Sequence, residues 1–431
     1  MNRDYAGDII NRVLNISTAD DTVVNLTCSD TKATRYANNA VTQSLERFQE
    51  RLAVTVSFDR RVGTAISEDL SEEGLAAVVG RAEANARLSK PDPEYVTPVA
   101  PVEYVPVNAF HQNTELFDAA SRVGRIEAAV DVCRRREQLA AGVFIVGSNH
   151  VAVGNSKGLF AYHRHSNAQF TITAMTDDSS GWAEDCHEDV EQLDTVRAAE
   201  TASMKALAGR RPRAVEPRKY RVLLEPAAVA DLLTFMLWFY NARAADEQRS
   251  FMSGRQGTRV FHPQVNILSD PTDTRLPGVP FQDDGQPAAQ VHWVRDGVAE
   301  NLVCDRFWAQ KSGRSATGMP TNLLMDGTDL PYEELLESMH DGLLITRFWY
   351  IRLVDHMTVL LTGMTRDSTC NVIDGSCRFG VLNLRFNESP ITMLNNISAM
   401  SRPYRVGNRF IPIMMPALIV DDFNFTSRTL F

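Results

Sequence analysis

Arg221-Val222-Leu223-Leu224-Glu225-Pro226-Ala227-Ala228-Val229-Ala230-Asp231-Leu232-Leu233-Thr234-Phe235-Met236-Leu237-Trp238-Phe239-Tyr240 is the stretch on which the reading of the fold turns. Tyr220 to Leu224 reads as a short strand, and Pro226 then marks a helix start, where the missing N–H costs no hydrogen bond. Leu232, Leu233, Met236, Leu237 and Phe239 carry that helix on to about Ala245. Apolar on nearly all its faces, such a helix belongs in a core or an interface. Downstream, strand-like segments alternate with Gly, Asn and Asp turns: Gln290–Val294, Ile345–Val354, Thr358–Leu361, Val381–Phe386 and Ile411–Val420. The pattern predicts a β-rich, barrel-like domain around one buried helix.

Upstream the pattern is mixed. Ile9–Leu14 suggests a short amphipathic helix and Thr22–Leu26 a strand; Leu52–Phe58 alternates at period two, with Val62–Ile66 as the returning strand of a hairpin. Ser71-Glu72-Glu73 opens a helix to about Leu88, with a capping hydroxyl and acids facing the dipole. Pro91, Pro93, Pro98, Pro101 and Pro106 then exclude helix and central strand, leaving an extended connector over 90–107. A helix at about Glu115–Leu139 precedes strands at Val143–Val146, Val151–Val153, Leu159–His165 and Gln169–Met175. Their turns are read at Gly147-Ser148-Asn149, at Gly154 to Gly158 and at Ser166-Asn167. A polar helix at about Glu188–Ala208 leads to Gly209-Arg210-Arg211-Pro212-Arg213, a solvated linker. The expectation is an α+β protein of two domains: 1–213, mixed α/β with antiparallel sheets, and 214–431, β-rich.

The composition limits the function classes. The chain has 431 residues, 44 of them Lys or Arg and 54 Asp or Glu, for a net charge of -10. So acidic a chain lacks the clustered cations that track phosphate backbones, so nucleic acid is not an expected partner. The longest apolar stretch, Ala227–Tyr240, is interrupted by Asp231 and Thr234 and falls short of the ~20 residues that span a bilayer, so no membrane association is expected. No secretory leader is visible in Met1 to Asp8, and the six cysteines form no CxxC. Reduced thiols in a cytoplasmic protein are therefore expected. Cys370 and Cys377 flank an Asp374-Gly375 turn and can face each other across a hairpin; free thiols are the expectation there too.

The usual catalytic signatures are missing. There is no GxxxxGK[ST] or GxGxxG phosphate loop, no GxSxG elbow and no HExxH or HExxxH. His163 and His165 stand two apart on a strand, hence on one face, and with Cys186 they could imitate a zinc site; their Tyr, Arg and Ser neighbours suggest an exposed, adventitious pair. Asp283-Asp284 and Asp421-Asp422 read as solvated turns or strand ends. Arg347-Phe348-Trp349-Tyr350-Ile351-Arg352 interleaves base and aromatic, and alternation would pack Arg347, Trp349 and Ile351 on one face against a core.

Several segments in a shared order resemble the TldD/PmbA family of metalloprotease subunits, also labelled modulators of DNA gyrase. They include Arg35 to Gln43, Asp69 to Leu75, Asn155-Ser156-Lys157-Gly158, Ser180-Gly181-Trp182-Ala183 and Arg221 to Leu233. Phe281-Gln282-Asp283-Asp284-Gly285 is similar to the family's FDDEG segment, and Leu361 to Asp367 and Asn383 to Pro390 continue the resemblance. In catalytic members, HExxxH follows the Leu-Leu pair and a cysteine near the C-terminus adds a zinc ligand. Carried over by position, the first histidine is Thr234 here, the glutamate Phe235 and the second histidine Phe239. A phenyl ring has neither a lone pair for zinc nor a proton to exchange. The last cysteine, Cys377, lies well before the end.

The resemblance therefore implies the branch without the zinc motif, TldE/PmbA-like. Such a subunit has no catalytic residues, metal or cofactor of its own. It shapes a chamber and holds small or unfolded peptides for a zinc-bearing TldD-type partner in a cytoplasmic heterodimer, with homodimerisation left open. Two alternatives stand beside this reading. One is a self-sufficient metallopeptidase using His163, His165 and Cys186; the other is a binding or regulatory protein that acts without proteolysis.

Overall fold

The computed structural model describes residues 1–407 and 410–429, so the last two positions of the expected second domain lie outside the described residues. The first half forms one antiparallel sheet in the order β3-β2-β1-β4-β5-β6. Its strands are β1 (Asp21–Ala37), β2 (Ala40–Phe58), β3 (Arg61–Ser67), β4 (Leu139–Asn155), β5 (Phe160–Met175) and β6 (Ser180–His187). Asn38-Asn39 and Asp59-Arg60 close the β1–β2 and β2–β3 hairpins with both residues at positive φ, the mirror-image turn that suits strand twist. β4 and β5 run unbroken through Gly147-Ser148-Asn149 and Ser166-Asn167, which correct the two turns expected there. The small residues serve close approach instead. A Cβ on Gly147 would come within 2.6 Å of Asp30 O, and the Ser166 N–H donates to Ala109 O at 2.9 Å.

One face of this sheet is covered by helices α1 (Arg3–Ile16), α2 (Glu72–Leu88), α3 (Gln112–Glu115), α4 (Ala119–Arg134) and α5 (Thr195–Ala208). Alternation sends Val24, Leu26, Leu52, Val54, Phe144, Val146, Phe170 and Ile172 to that face, where all are buried. The Ser71 hydroxyl caps α2 by accepting the Gly74 N–H, as its sequence predicts. α4 is shorter than expected: Asp118 caps its start, and Glu137 at φ 55° turns the chain out before Leu139 joins β4. Likewise α5 starts from the Asp194 cap, after a single 3₁₀ turn over Val190–Gln192. Between α2 and Ala109 the chain has neither helix nor strand, an extended connector with one bridge, Pro91 to Arg61.

The second half begins with β7 (Lys219–Leu224), α6 (Pro226–Trp238) and α7 (Ala242–Asp246), then β8 (Ile267–Ser269), β9 (Val291–Arg295) and β10 (Val298–Ala299). After α8 (Arg306–Ser312), β11 (Leu323–Met325) and α9 (Tyr332–Glu337) come β12 (Asp341–Ile345), β13 (Arg347–Asp355) and β14 (Leu360–Arg366). The chain closes with β15 (Cys370–Ile373), β16 (Ser376–Gly380), β17 (Leu384–Glu388), α10 (Pro390–Asn395), β18 (Ile397–Val406) and β19 (Ile413–Arg428). These strands form an open, branched 13-stranded sheet rather than a closed barrel, with β7 between parallel β12 and antiparallel β19. Pro416, inside long β19, lies opposite Pro403 at an irregularity of β18, the place a strand tolerates proline. Across the β15–β16 hairpin Cys370 and Cys377 are joined as a disulfide, with Cα atoms 5.9 Å apart, which corrects the free-thiol expectation for this pair. α6 stops at Trp238, short of Ala245, because Asn241 caps the separate helix α7 by accepting the Ala244 N–H.

Candidate functional site

The sheet face without helices looks toward the second half across a cavity of about 900 Å³. Residues two apart on a strand share a face, so Asn25 and Thr27 of β1, Asn149 and Val151 of β4, and Asn167 and Gln169 of β5 line it side by side. Asn25, Thr27, Asn149 and Asn167 make no side-chain hydrogen bond as donors or acceptors among the described residues, so their amides and hydroxyl remain open to a ligand. The opposite wall comes from loops of the second half, including Leu276–Val279, Asp283-Asp284, Gly318–Thr321 and Phe410.

Charge sits on the walls while the nearby thiol and imidazoles are neutral. Arg405 donates to both Glu188 carboxylate oxygens at 2.7 and 2.8 Å, joining β18 to the end of β6. Burial, and then the Arg405 charge, hold His187 below its ordinary range, while its Nδ1 accepts the Asp189 N–H at 2.9 Å. Burial pushes the Cys186 thiol far up, so it is held as the neutral thiol rather than the nucleophilic thiolate. His165 is pushed down to about 4 by the same cause. Asp284 sits in the turn expected for it, accepting the Gln286 N–H at 2.9 Å and lying 3.4 Å from the Arg306 guanidinium. Arg51 makes no ion pair among the described residues and leaves a free cation on the rim.

The three positions that carry zinc chemistry in the resembled family lie on and just after α6, and none lines this cavity. Thr234 Oγ1 donates back to Ala230 O at 2.8 Å. Ala227 to Leu233 are buried apart from Asp231, but the last turn departs from the buried helix expected. Phe235 packs on Trp238 with ring centroids 5.0 Å apart, Trp238 on Phe410 at 5.8 Å, and Trp238 is 52% exposed. Phe410 carries this aromatic cluster to the cavity wall. A hydroxyl already bonded to the backbone and two phenyl rings do not fit zinc. Among the described residues no group of three or more His, Cys, Asp or Glu is placed to hold a metal ion.

His163 and His165 share a face as their spacing requires, with rings stacked at 5.7 Å. They are not a surface pair: His163 is 5% exposed, and burial pushes it down to about 3. Their polar neighbours Tyr162 and Arg164 point to the other face of β5. Cys186 pairs with Gln169, four residues along the strand from His165 and six from His163, which at ~3.3 Å per residue sets its backbone about 13 Å and about 20 Å from theirs. In β13 the expected packing phase holds for Ile351, which packs on the core, but not for Trp349. Phe348 is the buried residue, against Phe386 at 4.5 Å and Phe423 at 5.6 Å, while Trp349 and Tyr350 are exposed beside a bulge. Arg347 donates to Asp367 at 2.7 Å and lies over the Trp182 ring, and Asp421 pairs with Arg221 at 2.7 Å. The amide strip and the Arg405–Glu188 clasp had no part in the sequence reading; the Asn-x-Thr alternation of Asn25 and Thr27 is its one local signal.

Profiles of the PmbA/TldA metallopeptidase central domain and C-terminal domain match residues 113–210 and 217–427, which makes this a chain of metallopeptidase-related class. It belongs to the PmbA/TldD family. Metalloprotease PmbA of Escherichia coli O157:H7 is 24% identical over 374 residues, covering 81% of this chain and 79% of that protein. The fold matches TldE from Thermococcus kodakarensis with a TM-score of 0.89 at 15% identity, over 97% of this chain and 99% of that one. A candidate modulator of a DNA gyrase from Thermotoga maritima matches with a TM-score of 0.88 at 17% identity, over 97% of this chain and all of that one (100%). No helix among the described residues is long and apolar enough to cross a membrane.

Proposed function

We propose that this chain is a non-catalytic subunit of a heteromeric PmbA/TldD-type metalloprotease, a pseudo-protease that works in the cytoplasm. It holds small or unfolded peptide in the cavity between its halves and presents it to a zinc-bearing TldD-type partner. The observation that carries the reading is Thr234 and Phe239 at the family's zinc-histidine positions and Phe235 at its glutamate position, with Phe235 and Trp238 packed as an aromatic cluster there. The strip of open amides supports the peptide part, since Asn and Gln offer both donors and acceptors to a main chain of any sequence. The cavity of about 900 Å³ is at the upper end of the range for small-molecule sites and suits a short extended segment. In this role the chain orients the peptide and excludes water, and the chemistry belongs to the partner's zinc.

Co-expression with a TldD-type subunit tests the proposal. The two chains are expected to co-purify in equal amounts, and the pair to cleave an unfolded peptide that neither cleaves alone at a comparable rate. Failure to associate at micromolar concentration contradicts it.

A further inference from the structure

A second cavity, of about 610 Å³, shares Ala109 and Phe281 with the first as a common wall. It follows β5 over Phe160–Arg164, a stretch that β6 leaves uncovered because it pairs only from Ala168 onward. The connector, residues 102–110, forms the facing wall. It is clipped to β5 by the Ser166 N–H on Ala109 O, and to the second half by Tyr104 Oη donating to Gly285 O at 2.6 Å. Backbone groups alternate between the two edges of a strand. The Ser166 bond and the parallel Ala109–His165 bridge turn the Ser166 N–H and the Arg164 C=O to the connector, and the same alternation leaves the Arg164 N–H and the N–H and C=O of Tyr162 facing the cavity.

The two tyrosines at this edge are partnered, Tyr162 with Met1 O and His150, and Tyr104 with Gly285 O, but among the described residues the charged side chains are not. Arg3 lies over the Phe160 ring at 5.1 Å and Arg164 over the Phe110 ring at 3.9 Å, and neither makes a hydrogen bond or ion pair among the described residues. Stacking on a ring holds a guanidinium in place while leaving its N–H fork free for an oxyanion. Glu103, the one carboxylate among the lining residues, is also without an ion pair. His163 lines the same cavity at 5% exposure, and its Nε2 is buried with no partner, a condition that calls for a reason in a folded protein. Phe110, Phe160, Phe281 and Val105 add aromatic and aliphatic surface, and Asn108, Tyr104 and Tyr162 add polar groups.

We propose that this cavity binds a short zwitterionic peptide, two or three residues long with free termini, along the open edge of β5. Arg3 and Arg164 take its carboxylate, Glu103 its ammonium group, and Phe110 and Phe160 an apolar side chain. The strand edge supplies backbone hydrogen bonds that are indifferent to sequence, so the termini set the selectivity. The site needs no catalytic partner and stands whether or not the large cavity holds a substrate.

Titration of the full chain with Ala-Ala-Phe tests it, by calorimetry and by the histidine ring signals in ¹H–¹³C spectra, with the His163 signal assigned through His163→Gln. Binding is expected to shift the His163 signal, and amidating the peptide's C-terminus or substituting Arg164→Gln or Arg3→Gln to weaken it at least tenfold. Both arginines are exposed, so those variants keep the fold. Equal affinity for the amide, an unchanged affinity in Arg164→Gln, or inorganic phosphate binding as tightly as the peptide each overturns the proposal. Asn149→Ala, on the wall of the large cavity, is expected to leave this binding unchanged. A loss there would move the peptide to the other site and overturn it as well.

Discussion

The two faces of the six-stranded sheet are made by the same strands, one residue out of step, and they differ in almost every property. The helix-covered face presents Val24, Leu26, Phe144, Val146, Phe170 and Ile172, all buried. The cavity face presents Asn25, Thr27, Asn149, Asn167 and Gln169, which border a cavity of about 900 Å³. Alternation lets one backbone serve both: one face removes apolar surface from water, and the other keeps donors and acceptors available. The division of labour implies that stability and ligand binding respond to different substitutions on the same strand.

The strongest way to break this comparison is Phe170→Ala. Phe170 is fully buried between Tyr36 and Phe144, and its truncation is expected to cost about 3–5 kcal/mol in urea unfolding. Asn149→Ala, on the opposite face, is expected to stay within about 0.5 kcal/mol. Equal losses contradict the assignment of the faces.

Next in size is a pH effect from two histidines on the cavity face. His163 is held to about 3 and His165 to about 4, both by burial and both below the unfolded value near ~6.5. Between ~6.5 and about 4 the unfolded chain therefore binds more protons, and stability falls as the pH falls. Each histidine contributes up to about 1.4 kcal/mol per pH unit in that window, and His163→Gln is expected to flatten the slope. An identical slope in the variant contradicts the burial of His163.

The amide strip predicts a smaller, purely functional effect. Asn149→Ala combined with Asn167→Ala is expected to weaken peptide binding to the complex with a TldD-type subunit by about tenfold, or ~1.4 kcal/mol, with the unfolding midpoint unchanged. Calorimetry and urea denaturation on one preparation separate the two readouts. The smallest effect belongs to the helical cover. Ser71→Ala removes the cap of α2 and is expected to cost about 1 kcal/mol without touching the cavity.

What could be read from the sequence followed the range of each signal. The Ser71 cap and Pro226 at the start of α6 act within a turn of themselves, and both helices start where those residues place them. Gly147 and Ser166 read as turns in the sequence because the features they serve, the Asp30 backbone and the Ala109 carbonyl, are more than fifty residues away along the chain. His163 looked exposed for a related reason: the connector that covers it is far from it in sequence, and its polar neighbours face the other side. The cavity was invisible because its amides come from three strands whose adjacency only the sheet order β1-β4-β5 creates. The positions carried over from the resembled family, Thr234, Phe235 and Phe239, needed no tertiary information to be weighed, because they lie within six residues on and just after α6 and a phenyl ring has no lone pair for a metal.

The central claim is that this chain contributes a binding chamber and no metal chemistry. Elemental analysis for zinc on the untagged chain purified alone, followed by peptide hydrolysis on the same sample, tests it most directly. The account predicts no stoichiometric zinc and no chelator-sensitive hydrolysis until a TldD-type partner is added. Stoichiometric zinc with chelator-sensitive cleavage by the chain alone contradicts it.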